Sequence, residues 1–320
     1  MYVKASVLGC GRWGSFIAWY LSHIGHEVTL YGRETSPHMQ QFMATRSNGL
    51  VTFDNTVCLT CDLDEALESP LICISIGSQS LSALMAQIAA RDVSGKTFVL
   101  CMKGIEIGTC RRLSQIADEA VGEHNDVAVW LGPGHVQEFL AGVPNCMVID
   151  AEREKVKQRL VDTLSGGLIR FYYGTDLIGN EIGAAAKNVV GIAAGMLDGM
   201  GVSSLKGALM SRGTREIARL IAAMGGREMS AYGLCHLGDY EATVFSKYSH
   251  NRRFGEMFVK GESYTELAEG YYTVKALCEM ARQKGVELPI CQAVYETLYE
   301  GADVTQQMSS LFTRSLKREF

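Results

Sequence analysis

In the first half of the chain, apolar residues come in short runs broken by glycine or polar residues. Those runs predict strands at residues 3–8, 27–31, 57–60, 71–76, 97–100, 128–131, 146–149 and 169–172. Between several of them the apolar positions recur at helical spacing, which predicts helices over 13–24, 81–90, 111–120 and 152–164. Alternating strand and helix builds a doubly wound α/β layer, a mostly parallel sheet with helices on both faces. The pattern changes near Asp176. Beyond it, period-two alternation almost vanishes, and helices are expected at 180–197, 205–224, 230–237, 265–269, 271–284 and 290–299, with Gly225-Gly226 and Gly285 as stops. The chain therefore divides into a sheet domain over 1–178 and an all-helical domain over 179–320.

Composition adds limits. A length of 320 residues suits two domains, and 47% hydrophobic with 20% charged residues is ordinary for a globular protein. A formal net charge of -5 argues against a general nucleic-acid or membrane-surface partner. No apolar run reaches the roughly 18 residues of a spanning helix, so no membrane insertion is expected. Met1-Tyr2-Val3-Lys4 lacks the zones of a secretory signal, and a cytoplasmic enzyme is the expectation. Ten cysteines are scattered along the chain; Cys73 and Cys101 read as small buried apolar residues in a reducing compartment. Cys58 and Cys61 form a Cys-x-x-Cys pair with no second pair at zinc spacing, so no metal is expected.

Two features carry chemistry. Gly9-Cys10-Gly11-Arg12-Trp13-Gly14 follows a strand and opens a helix, the context in which G-x-G-x-x-G signals dinucleotide binding in a Rossmann-type sheet. Gly9 permits the tight turn, Gly11 lets backbone approach a pyrophosphate, and Gly14 lets helix and strand pack closely. After the second strand, Arg33 is placed to meet the extra phosphate of NADP; Glu34 stands one residue late for the acid that would hold an NAD ribose. NADPH is the expected cofactor and NADH the alternative. The other feature is Lys187, in the small, apolar run of residues 181–195. An ammonium there must be paired, hydrated in a cleft, or shifted toward neutrality, and each condition serves proton transfer. The competing reading is a lysine that reaches out of a core helix to water. Lys103-Gly104 and Gly132-Pro133-Gly134-His135 each follow a strand, at the sheet edge where ligands bind.

These motifs occur in a telling order. The glycine turn with Trp13, Lys103-Gly104-Ile105-Glu106, Gly132-Pro133, Ala186-Lys187-Asn188-Val189, Asp198-Gly199, Arg212-Gly213, Leu237-Gly238-Asp239, Asn251-Arg252-Arg253-Phe254-Gly255, Ala268-Glu269-Gly270-Tyr271 and Leu311-Phe312-Thr313-Arg314 succeed one another along the chain. Over essentially its whole length the chain resembles the NAD(P)-dependent glycerol-3-phosphate dehydrogenase family. The resemblance implies reduction of dihydroxyacetone phosphate to sn-glycerol 3-phosphate for glycerophospholipid synthesis, on a small phosphorylated substrate, and suggests a homodimer. It makes Lys187 the proton donor and acceptor, and Asp239 the catalytic-site aspartate that pairs with it or orients it. It places Lys103, Gly132, Asn188, Ser249 and Asn251 at the substrate. Gly9, Gly11, Trp13, Gly14, Arg33, Lys103 and Glu269 are expected at the cofactor.

The chain departs from the family pattern in four places. His250 stands where an arginine is expected to grip the substrate phosphate, and histidine offers no bidentate fork. Val202-Ser203-Ser204-Leu205-Lys206 replaces Gly-Asp-Asn-Thr-Lys, Tyr240-Glu241-Ala242-Thr243 is less apolar than usual, and Gly134 replaces a small polar residue. These departures keep open a related NADPH-dependent reductase of another small keto acid or phosphorylated ketone. A cofactor-binding sensor without catalysis is the remaining alternative, opposed by intact Lys187 and Asp239. Replacing Arg33 with alanine is expected to weaken NADPH binding more than NADH binding. Equal losses in a titration of both cofactors would mean that Arg33 does not read the 2′-phosphate.

Overall fold

The computed structural model describes residues 2–313; Arg314, the end of the last motif named above, lies outside them. The chain forms two compact units. One comprises Met1–Lys103 and Arg111–Leu177, the other Gly104–Cys110 and Ile178–Phe320. Residues 104–110 thus group with the helices, although they follow a strand of the sheet.

The first unit holds eight strands: β1 Lys4–Leu8, β2 Glu27–Tyr31, β3 Val57–Thr60, β4 Leu71–Ile74, β5 Thr97–Leu100, β6 Asp126–Leu131, β7 Asn145–Ala151 and β8 Ile169–Tyr173. They lie in the order β3-β2-β1-β4-β5-β6-β7-β8. Every pairing is parallel except β6 with β7. All four residues of β4 and of β5 are buried, as central strands require. The strand order turns back between β1 and β4, which makes their carboxyl ends the switch point of the sheet. The connecting helices are α1 Arg12–His23, α2 Pro37–Thr45, α3 Leu63–Leu67, α4 Leu81–Ala89, α5 Leu113–Val121, α6 Val136–Leu140 and α7 Glu154–Leu164. Phe16, Tyr20, Trp130, Phe139 and Phe171 build an aromatic centre to this core, with Trp130 edge-on to both Tyr20 and Phe171.

The second unit is helical: α8 Leu177–Gly199, α9 Lys206–Ala223, α10 His250–Lys260, α11 Glu269–Lys284, α12 Pro289–Tyr299 and α13 Val304–Phe312. Every residue of α8 from 181 to 197 is buried. One stripe of this helix, at spacing four, reads Gly183, Lys187, Gly191, Gly195, Gly199. A Cβ on Gly195 would collide with the Arg252 carbonyl of α10, and one on Gly255 would collide with the Ile192 carbonyl of α8. Backbone meets backbone at this crossing, which only missing side chains permit. On α9, buried Glu216 accepts hydrogen bonds from the Ile290 and Cys291 amides at 2.9 and 3.1 Å, capping α12 behind Pro289. Burial pushes its carboxyl up to about 7, against the opposing pull of those amides.

Two expected helices are corrected. Residues 230–237 form no α-helix; 3₁₀ turns at Glu228–Tyr232 and Leu237–Asp239 replace it. Extended Gly233 separates them, and its carbonyl accepts from the Gly238 amide at 2.9 Å, folding the segment into a compact loop. Residues 265–268 are not helical, because α11 starts at Glu269, where Asn251 Oδ1 takes the hydrogen bond of the Gly270 amide at 2.9 Å. The helices α10 and α13 were not foreseen; each has a side-chain cap, Ser249 and Asp303 respectively.

Gly195→Ala should destabilise the protein by about 1–3 kcal/mol or more, because neither facing backbone can yield cheaply. Gly207→Ala, in an exposed first turn of α9 with nothing within 4 Å of the added carbon, should leave stability unchanged or raise it by a few tenths to about 1 kcal/mol. Urea unfolding midpoints check both, and a neutral Gly195→Ala would refute the backbone crossing.

Candidate active site

At the switch point, Gly9 has φ +119° and a Cβ there would collide with the Ser75 carbonyl. A Cβ on Gly14 would collide with the Gly9 carbonyl. Both glycines are thus demanded by the turn itself. Gly11 is different. A Cβ there meets nothing within 4 Å, so the chain's own packing does not require glycine at that position. Bare backbone facing open space suits close approach by a pyrophosphate, and no side-chain hydrogen bond caps the start of α1. The residues present therefore fit a dinucleotide. Trp13 is half-buried, its ring 5.1 Å from that of Phe16 and 6.2 Å from that of Phe139. Arg33 is exposed just past β2; Gly32 before it is closed in by Cys10 and Met39.

On the same edge of the sheet, Lys103 Nζ donates to the Gly132 carbonyl at 2.8 Å. Two residues expected at the substrate, far apart in sequence, are joined there. Gly132 has φ +128°, and Gly134 has φ +152° with its Cβ position blocked by the Phe139 ring. The backbone conformation and Phe139 together account for glycine at 134.

In the helical unit Lys187 is 8% exposed, so it is largely withdrawn from water. Its Nζ lies 3.2 Å from Asp239 Oδ2 and donates to Thr243 Oγ1 at 2.6 Å. Asp239 is 1% exposed. A buried ammonium is tolerated because a carboxylate and a hydroxyl meet it there, and removing either charge would leave the other uncompensated. Lys187 belongs to the glycine stripe of α8, and the segment that carries Asp239 and Thr243 packs against that stripe: the Thr243 methyl occupies the gap left by Gly191. Thr243 sits in a π-helical turn, Glu241–Phe245, a wide turn that re-aims side chains. It was not among the expected site residues; its spacing of four from Asp239 is the signal that could have found it.

Beside this pair, Asn188 Oδ1 accepts from Asn251 Nδ2 at 3.1 Å, and Asn251 Oδ1 accepts from the Gly270 amide. The bonds run from α8 through α10 to the start of α11, next to half-buried Glu269. Ser249 Oγ accepts from the Arg252 amide at 3.2 Å and caps α10. His250 Nδ1 lies 2.5 Å from the Tyr264 hydroxyl. Arg252 is held by Asp198 at 2.9 Å and Glu256 at 2.8 Å. Lys206 and Ser203, both in the altered loop, each lie 2.6 Å from Asp198, so the loop still fastens the end of α8.

A dinucleotide turn on a doubly wound sheet, joined in one chain to a helical unit with a buried lysine–aspartate pair, defines a nicotinamide-dependent oxidoreductase. A family model described as NAD-dependent glycerol-3-phosphate dehydrogenase N-terminus matches residues 4–157, and its C-terminus counterpart matches 176–309. The chain belongs to this family. It is 34% identical over 336 residues to the glycerol-3-phosphate dehydrogenase [NAD(P)+] of Pelodictyon phaeoclathratiforme, covering 99% of each chain. It is 35% identical over 334 residues to the protein of that name from Thermotoga sp., covering 98% of each. The crystal structure of glycerol-3-phosphate dehydrogenase from Coxiella burnetii superposes with a TM-score of 0.92 at 28% identity, covering 98% of this chain and 99% of that one. Among the described residues, no helix is long and apolar enough to cross a membrane.

Gly11→Ala should leave the thermal unfolding midpoint unchanged while weakening NADPH binding by about tenfold or more, the effect of about 1.4 kcal/mol of steric opposition. Gly14→Ala should instead lower the midpoint. Calorimetry with NADPH titration checks the pair; undiminished binding by Gly11→Ala would mean that the cofactor does not approach there.

Proposed function

We propose that the chain reduces dihydroxyacetone phosphate to sn-glycerol 3-phosphate with NADPH, NADH being the alternative donor, and so supplies glycerophospholipid synthesis. The observation that carries this reading is the buried Lys187 held by Asp239 and Thr243. Gly9, Gly11, Trp13 and Gly14 hold the cofactor at the start of α1, with Arg33 toward the 2′-phosphate and Lys103 and Glu269 as further contacts. When bound, the cofactor supplies the hydride. Negative charge then grows on the ketone oxygen. Lys187 Nζ stabilises that charge and delivers the proton; in the reverse direction it takes the hydroxyl proton. Asp239 balances the ammonium's charge and Thr243 fixes the direction of Nζ, so geometry is set before reaction. Lys103, Gly132, Asn188, Ser249 and Asn251 position the substrate. A homodimer belongs to the same proposal and rests on the family resemblance; cytoplasmic placement is proposed with it.

His250 favours a second reading, a related reductase of another small keto acid or phosphorylated ketone. Arg252 is fastened by Asp198 and Glu256, both at Nη1, which sets the direction of its guanidinium. Arg253 is exposed, 5.9 Å over the Tyr264 ring. In the first reading, His250, held by Tyr264, takes the phosphate position.

NADPH oxidation with dihydroxyacetone phosphate, run beside unphosphorylated dihydroxyacetone, separates the two. Turnover of the phosphorylated ketone alone is expected. No turnover by a cofactor-binding wild type, with rescue by His250→Arg, would favour the second reading. Lys187→Ala should keep NADPH binding and lower kcat by about 10²-fold or more.

A further inference from the structure

His236 is fully buried and plays no part in the mechanism above. Its Nδ1 lies 2.8 Å from the Gly183 carbonyl, and its Nε2 lies 2.8 Å from the Tyr240 hydroxyl. A carbonyl only accepts, so Nδ1 carries the proton; in a neutral ring Nε2 then accepts from Tyr240. Burial keeps the ring neutral, pushing its pKa down to about 4; the Gly183 carbonyl and Asp239 oppose this, and Lys187 adds to it. Gly183 precedes Lys187 by one turn of α8, and its missing side chain makes the space for His236, whose Cβ lies 3.0 Å from the position a glycine Cβ would take. Tyr240 follows Asp239 directly, and the Asp239 amide donates to the His236 carbonyl at 3.0 Å. His236 thus bonds to α8 one turn before the lysine, to the aspartate's own amide and to the residue that follows the aspartate.

We propose that His236 is a positioning residue for the reaction: by tying the 236–240 turn to the Gly183 carbonyl, it fixes where the Asp239 carboxylate stands relative to Lys187. The inference rests on the reading of Lys187 as the proton-transfer group. His236 itself exchanges no proton in the reaction; it acts through the direction and spacing of the ion pair. The groups that face it are Lys187 and Gly183 of α8, Asp239 and Tyr240 of its own turn, and Gly213 of α9.

The test compares His236→Leu, His236→Asn and Tyr240→Phe with Lys187→Ala, reading unfolding midpoint, NADPH affinity, KM for the ketone and kcat across pH. His236→Leu should lower kcat about tenfold or more, while KM and NADPH affinity stay within about twofold, because a displaced reacting group costs turnover rather than binding. It should also shift the pH limb of kcat that Lys187→Ala abolishes. His236→Asn, whose amide donates near the Nδ1 position, should recover most of the loss. A folded His236→Leu with wild-type kcat and pH limb overturns the proposal, as does an equal loss in kcat and affinity that asparagine does not recover. If His236→Leu fails to fold, Tyr240→Phe decides: a shifted limb supports the proposal and an unchanged one overturns it. Wild-type turnover in Lys187→Ala would remove the underlying reading as well; loss there with normal His236 variants removes this inference alone.

Discussion

Close backbone approach along one stripe of α8 is the constraint on which the rest of the helical unit depends. Gly191, Gly195 and Gly199 put no side chain of this helix into its contact with the segment running from Thr243 through α10 to Val259; the Thr243 methyl, the Arg252 backbone and the Val259 side chain fill the three gaps. At a contact of that kind, everything on the stripe faces directly into its neighbour. Lys187 occupies one position of the stripe, so its ammonium must be met by whatever the neighbour presents. Asp239 and Thr243 meet it. The fold therefore creates the need for a buried partner and satisfies it with the same packing. The cost of desolvating the lysine is offset by burial of the surrounding apolar residues, which supplies the larger share of stability.

The sheet unit reaches its binding geometry by another route. Gly9 and Gly14 are forced by the collision of backbone with backbone at the switch point, whereas Gly11 answers no contact within the protein. One motif thus contains two kinds of glycine, those that the fold requires and one that it does not. The Lys103–Gly132 bond shows the same economy: parallel strands β5 and β6 end side by side, and residues just beyond them become neighbours. Both halves of the chain use missing side chains to bring backbone close.

Ion pairs elsewhere do structural work, and that narrows the chemistry. Asp198 at the end of α8 gathers Lys206 and Arg252, and Arg252 also holds Glu256. Arg252 Nη1 meets both carboxylates and Nε the Ser246 carbonyl, so the guanidinium is held in place by the protein's own acceptors. His250, which stands where the family pattern has an arginine, is braced instead by the Tyr264 hydroxyl.

The sequence by itself determined the strand–helix alternation, the glycine turn, the change of character near Asp176 and the need for Lys187 to find a partner in an apolar helix. Each of these is written in local spacing or in a residue type that only one backbone geometry tolerates. It misread 230–237 and 265–269 and passed over α10, because those elements are fixed by particular hydrogen bonds that apolar periodicity does not register: Gly233 folds back on Gly238, Asn251 sets the start of α11, and Ser249 caps a polar helix with weak periodicity. Thr243 and His236 escaped notice for the same reason. A threonine in a π-turn and a histidine over a glycine acquire meaning only when α8 comes close enough for one to touch the lysine and the other to bond the turn before it. Partners that meet by packing rather than by spacing are decided by the tertiary structure alone.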